Sequence, residues 1–313
     1  MSELLSAIFM GALQGATEFL PISSSGHLRL AEPLFGASEP DLLFDIILHV
    51  GTLIAVCAVY RDAILQILRD LLASLRALLQ RRDLVAALQP EGARLAVLIV
   101  LATLPTGVIG LALDDLVDGP WLTLAPVGAL LILNGFILLV SRRAPESATS
   151  LSDHSGPDRD AASTGGDAHS GASPTSTSLL SHLNLWRITA PTALLIGVAQ
   201  GFAVLPGISR SGLTITVCLM LAVEREQAAR FSFLLSIPAI LGALVLKFDP
   251  AVFVAADPDR LLRFGVGALT AALVGYVCLI LLIQLLKNAR FHHFAWYCFV
   301  VGAIAIGVAT LQG

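Results

Sequence analysis

Gln14 and Glu18 stand four residues apart in QGATEFLPISSSGH (14–27), a polar block inside an otherwise apolar N-terminal stretch. On a helix that spacing puts both on one face. A carboxylate beside an amide oxygen is a hard-oxygen pair that suits Mg²⁺ or Ca²⁺, with water and substrate phosphates completing the shell. Glu18 serves equally well as a general base or as the group that orients His27; the plainer assignment gives it a helix cap or an ion pair with Arg210. Ser23, Ser24 and Ser25, between Pro21 and Gly26, bring hydroxyls and approachable backbone N–H groups, the equipment of an anion nest. His27 lies three residues past Ser24, in range to activate its hydroxyl or to protonate a leaving oxygen. Farther along, PGISRSGLT (206–214) supplies Arg210, whose planar fork matches phosphate oxygens and stays charged when buried, among Gly207, Ser209, Ser211 and Thr214. Cation, metal site, hydroxyls and imidazole together suit phosphoryl transfer, where positioning and charge stabilisation do most of the catalysis.

These residues sit in a repeat. GALQGATEFLPISSSG (11–26) aligns without gaps with GVAQGFAVLPGISRSG (197–212), keeping Gly11/Gly197, Gln14/Gln200, Gly15/Gly201, Ser23/Ser209, Ser25/Ser211 and Gly26/Gly212, and placing Arg210 opposite Ser24. The plain alternative is a duplication without shared function, its serines bonding only to helix carbonyls. An arginine in an apolar stretch without a nearby acid argues against it, because ionisable groups at membrane depth are costly and mark function.

The elements that must hold these loops are membrane helices. The chain has 313 residues, 56% of them hydrophobic and 13% charged, with mean hydropathy +0.83, far from the balance of a soluble domain. Runs near 42–60, 94–113, 122–140, 230–248, 262–286 and 294–311 approach the roughly 20 apolar residues a span needs, giving about six spans. The stretches 3–35 and 188–222 are each broken by Pro, Gly and Ser, the pattern of a re-entrant helix–loop–helix. The expected fold is therefore an all-α polytopic membrane protein. Residues 1–143 form a first inverted repeat of one re-entrant hairpin and three spans, residues 144–184 a disordered polar linker, and residues 185–313 a second repeat of the same composition.

Charge sets the orientation. The connection 61–94 carries Arg61, Arg69, Arg76, Arg81, Arg82 and Arg94, whereas 114–120 carries Asp114, Asp115 and Asp118 and no base, so the first is expected in the cytoplasm and the second outside. Continued alternately, the count has the first hairpin entering from outside and the second from the cytoplasm. The net charge of −4 resides in 144–184, where Glu146, Asp153, Asp158, Asp160 and Asp167 face only Arg159. His154, His169 and His182 in that tract are expected to be solvated. The N-terminus has no basic n-region or cleavage site and is expected to remain part of the fold. Cys57, Cys218, Cys278 and Cys298 lack metal or CxxC spacing and read as small core residues. No basic stripe with interleaved aromatics suggests nucleic acid.

EFLPISSSGHL (18–28) and PGISRSGLT (206–214), with FDIILHVGT (44–52), ATLPTGVIG (102–110) and RFSFLLSIP (230–238), resemble the undecaprenyl-diphosphate phosphatase, or bacitracin-resistance protein, family over nearly the whole chain apart from the linker. That resemblance implies hydrolysis of undecaprenyl diphosphate in the bacterial inner membrane, a divalent cation, and a site open to the periplasm. It carries metal binding to Gln14 and Glu18, nucleophile or acid/base roles to Ser24 and His27, and phosphate binding to Arg210. Ser24 is expected to attack phosphorus, assisted by Glu18 or His27. The expected partners are a polyprenyl diphosphate lipid and membrane lipids, a homodimer being compatible with both. The linker is expected to be dispensable for catalysis. Cys298 follows Tyr297 where many relatives carry arginine, so no substrate role is expected of the last helix. The rival from another class is a carrier, moving undecaprenyl phosphate or a small anion, since inverted repeats suit alternating access. An acid-phosphatase-type lipid phosphatase needs a lysine–arginine–proline motif, and the chain's two lysines, Lys247 and Lys287, offer none.

Overall fold

The computed structural model describes residues 3–32, 42–81, 88–117, 119, 121–145, 188–247 and 257–312, and the described residues are helical apart from short turns. Of the tract 144–184 expected as a linker, residues 146–184 lie outside them. In the first half, α1 (Glu3–Phe19), α2 (Ser24–Ala31), α3 (Leu42–Val59), α4 (Arg61–Arg81), α5 (Glu91–Ala112), a single turn α6 (Asp114–Val117) and α7 (Leu124–Val140) follow in order. In the second come α8 (Ala190–Phe202), α9 (Arg210–Met220), α10 (Arg225–Lys247), α11 (Pro258–Lys287) and α12 (Phe294–Gln312).

Among the described residues five helices are long and apolar enough to cross a membrane, and a sixth span is counted if the bent pair α3–α4 is taken as one. The bend at Tyr60 is 79°. Here the expectation of a connecting loop over 61–94 is corrected, because α4 is a 21-residue helix. Its leucines recur every three or four residues among arginines, an amphipathic pattern that sustains a helix but lowers mean hydropathy below that of a span. The Asp70 carboxylate fixes α4 to its neighbour by accepting from Gly92 N in the first turn of α5 at 2.8 Å, where an anion also complements the helix dipole.

Both breaks follow from local chemistry. α1 stops at Phe19, just ahead of Pro21, and α8 at Phe202, whose carbonyl has no N–H to meet four residues on at Pro206. The chain re-enters helix at Ser23 and Ser209, each an N-cap whose hydroxyl accepts from the backbone N–H three residues on, Gly26 or Gly212.

The two halves pack by exchange. α1 lies along α11 of the other half, and its repeat partner α8 lies along α5. Both first helices carry a Gly-x-x-x-Gly pair, the small-residue spacing that lets membrane helices approach closely. A Cβ added at Gly11 would lie 2.4 Å from the Gly267 carbonyl oxygen, and one at Gly197 2.0 Å from that of Ala102. α7 and α12 meet reciprocally: a Cβ at Gly128 would strike the Gly302 carbonyl oxygen at 2.7 Å, and one at Gly302 that of Gly128 at 2.5 Å. The two broken loops also meet, Gly207 N donating to the Ser23 hydroxyl.

Candidate active site

The loops touch through their backbones. A Cβ on Gly26 would sit 3.0 Å from both Cα and N of Gly207, and Gly207 itself adopts φ +113°, which a side chain would strain. Ser23 holds the joint: its hydroxyl accepts from Gly26 N at 3.3 Å and from Gly207 N of the other loop at 2.9 Å. Ser23 also has φ 70°, an uncommon conformation for a residue with a Cβ, costing about 1–3 kcal/mol and persisting only where neighbours impose it. Its carbonyl is held by His27 Nδ1 at 2.8 Å. From α7, fully buried Asn134 clamps both loops, donating from Nδ2 to the Pro21 carbonyl at 2.9 Å and accepting at Oδ1 from Ser209 N at 3.0 Å. Asn134→Leu, with the same number of side-chain heavy atoms, leaves both backbone groups unpaired; each costs about 1–3 kcal/mol, and thermal unfolding in detergent should register the loss.

Glu18 is the hub. Its Oε2 accepts from the Ser24 hydroxyl at 2.5 Å and from Gln14 Nε2 at 3.0 Å, while Oε1 pairs with Arg210 Nη2. The carboxylate is almost wholly buried and the guanidinium largely so, which strengthens charge-assisted hydrogen bonds. The sequence expectation that carboxylate and guanidinium meet across the two loops is met in the geometry. His49 of α3 adds a second basic group, its Nδ1 bonded to the Asp45 carbonyl and its Nε2 3.6 Å from Glu18 Oε2.

Other predicted residues take different places. His27 is not bonded to Ser24; its Nε2 meets the Tyr297 hydroxyl at 2.9 Å, and the two rings stack. With Nδ1–H directed at the Ser23 carbonyl, Nε2 accepts from the phenol. The last helix therefore reaches His27 through Tyr297. Ser211 donates to the Phe19 carbonyl at 3.1 Å, and buried Thr214 bonds the Arg210 carbonyl and the Ser232 hydroxyl. Ser23, Ser209, Ser211, Thr214, Gly26 and Gly207 thus hold the loops together, whereas Ser25 is half-buried in the first turn of α2. The first-turn N–H groups of α2 and α9 that no serine caps remain open to an anion. Sequence reasoning passed over His49, Asn134 and Tyr297. The available signal was a lone polar side chain within an apolar run, which at membrane depth is rarely idle.

Gln14 Oε1 is buried without a hydrogen-bond partner, one turn before Glu18. Among the described residues no three His, Cys, Asp or Glu side chains cluster to hold a metal. Two oxygen donors with the remainder left to water and substrate phosphates is how Mg²⁺ is commonly held, so the residues fit a hard cation bound together with a phosphate ester.

Known proteins resemble this chain over nearly its whole length. An undecaprenyl-diphosphatase of Desulfosudis oleivorans is 41% identical over 311 residues, covering 98% of both chains. Another from Desulforapulum autotrophicum is 40% identical, covering 97% of this chain and 98% of its own. An undecaprenyl-diphosphatase of Methanosphaera stadtmanae is 35% identical, with 98% of each covered. The model of the bacitracin resistance protein BacA family matches residues 7–304, and the chain belongs to that family.

Proposed function

We propose that this chain hydrolyses undecaprenyl diphosphate to undecaprenyl phosphate and inorganic phosphate, recycling the carrier lipid for peptidoglycan synthesis and so conferring resistance to bacitracin. The observation that carries the reading is the Ser24–Glu18–Arg210 chain of hydrogen bonds, assembled from two separate breaks in apolar helices. A nucleophile with its base and a phosphate-binding cation suits phosphoryl transfer. The multi-pass chain is placed in the bacterial inner membrane with its site toward the periplasm, the side to which the arginine distribution assigns the first hairpin. The polyprenyl tail then lies among the lipid-facing helices.

Ser24 Oγ bonds to the terminal phosphorus as the bond from that phosphorus to the bridging oxygen breaks, and the Ser24 proton passes to Glu18 Oε2. The departing undecaprenyl phosphate is a stable anion that needs no general acid. Arg210 turns its fork from Glu18 to the phosphate oxygens. Water then attacks the serine phosphate as the bond from phosphorus to Ser24 Oγ breaks, Glu18 returns its proton to Ser24 Oγ, and inorganic phosphate leaves with both protons of the water. His27, braced between Ser23 and Tyr297, fixes the strained turn that aims Ser24. Mg²⁺ or Ca²⁺ would be held by Gln14 and Glu18 and would supply charge neutralisation of the diphosphate.

Phosphate release from undecaprenyl diphosphate by the purified protein in detergent tests the reading, with and without a chelator. Release that falls on chelation and returns with Mg²⁺ is expected. A protein that binds the lipid yet releases no phosphate in either condition is not this enzyme and fits the carrier instead; unchanged release in chelator removes the cation from Gln14 and Glu18.

A further inference from the structure

Away from the Glu18 cluster, the elbow where α3 bends into α4 opens a cavity of about 440 Å³. Tyr60, Gln66 and Arg69 form one wall; Glu226, Gln227 and Arg230 of α10 form the other. Two buried polar atoms there have no hydrogen-bond partner: Oε1 of Gln227, whose side chain is 2% exposed, and Nε of Arg230. The acids nearby are engaged elsewhere, Glu226 with Lys287 at 3.3 Å and Asp62 with Arg61 at 3.7 Å. Glu91 and Glu226 lie within electrostatic reach of Arg230, yet among the described residues neither Arg230 nor Arg69 forms an ion pair. Two guanidinium forks outside any ion pair, facing a buried, unpaired acceptor, suit an anion that also carries a hydroxyl.

α4 indicates where such an anion comes from. Leu65, Leu68, Leu72, Leu75 and Leu79 make one exposed stripe, between 47% and 73% accessible, on a helix that also carries Arg61, Arg69 and Arg76. A basic amphipathic helix of this kind lies in the plane of the headgroups with its apolar face in the acyl boundary. The 79° bend after a membrane span gives α4 that attitude. A soluble anion would use the arginines and leave the leucines in water; a lipid uses both.

We propose that this elbow binds the headgroup of an anionic phospholipid, its phosphate between Arg69 and Arg230, a headgroup hydroxyl on Gln227 Oε1, and its acyl chains along the leucine stripe. Native mass spectrometry of the detergent-purified full chain, titrated with phosphatidylglycerol or phosphatidylcholine, tests it. Phosphatidylglycerol binds more tightly, and Arg69→Gln and Arg230→Gln each weaken it about fivefold, about 25-fold together, with phosphatidylcholine unaffected. Basal phosphate release in lipid-free detergent stays at the wild-type rate in Arg69→Gln. Should Arg230→Gln fail to fold, Arg69→Gln on the exposed side of α4 carries the test alone. Equal retention of phosphatidylglycerol by wild type and Arg69→Gln, or its displacement by millimolar inorganic phosphate, overturns the proposal.

Discussion

Arg210→Ala is expected to lower phosphate release from undecaprenyl diphosphate by about 10³-fold or more, the range found when a cation that meets transferring phosphoryl oxygens is removed. The residue is part of a buried pair, and removing one partner strands the other: an uncompensated Glu18 costs about 3–5 kcal/mol. Thermal unfolding in detergent must therefore accompany the assay. Two further variants separate the effects. Arg210→Lys keeps the charge but loses the planar fork, so it should recover most of the stability and only part of the rate. Glu18→Gln with Arg210→Met removes both charges, so it should unfold near wild type while remaining inactive. Full hydrolysis by a folded Arg210→Ala protein would remove the guanidinium from the site.

Why some of this was legible in the sequence and some was not has a physical reason. The two breaks announce themselves because Pro21 and Pro206 each interrupt an apolar run just ahead of a capping serine, signals contained within about ten residues of chain. The meeting of Glu18 with Arg210 was legible because each is the ionisable residue of one of the two repeated breaks, and a charge at membrane depth needs a partner. α4 was obscured by the signal that oriented the chain: Arg61, Arg69, Arg76 and Arg81, counted as loop charge, belong to a helix whose leucines recur along one face. Asn134 and Tyr297 have no such local signature. Asn134 bonds Pro21, 113 residues away, and Tyr297 bonds His27, 270 residues away, so their roles exist only once the halves are packed. The loop serines went the other way. Local pattern marked them all as anion ligands, whereas Ser23, Ser209 and Ser211 spend their hydroxyls on caps and on the opposing loop.

Ser24→Ala and Glu18→Gln should each lower phosphate release by about 10³-fold, within the range for losing a nucleophile or the base that activates it. The more informative quantity is their combination. The Ser24 hydroxyl donates to Glu18 Oε2 at 2.5 Å, so the two act as one unit, and members of a unit are grossly non-additive. The double variant should be no slower than the worse single. His27, bonded to Ser23 and Tyr297 rather than to Ser24, stands outside that unit. His27→Gln should therefore multiply with Ser24→Ala only to the extent that it loosens the turn, and Tyr297→Phe, which removes one hydroxyl from His27 Nε2, should cost far less than either. Single-turnover assays with terminally labelled substrate add a direct reading: Ser24 should carry the label transiently, and Ser24→Ala should not. If His27 instead attacked phosphorus, the label would survive Ser24→Ala, and the strained backbone at Ser23 would be aiming the imidazole in place of the hydroxyl.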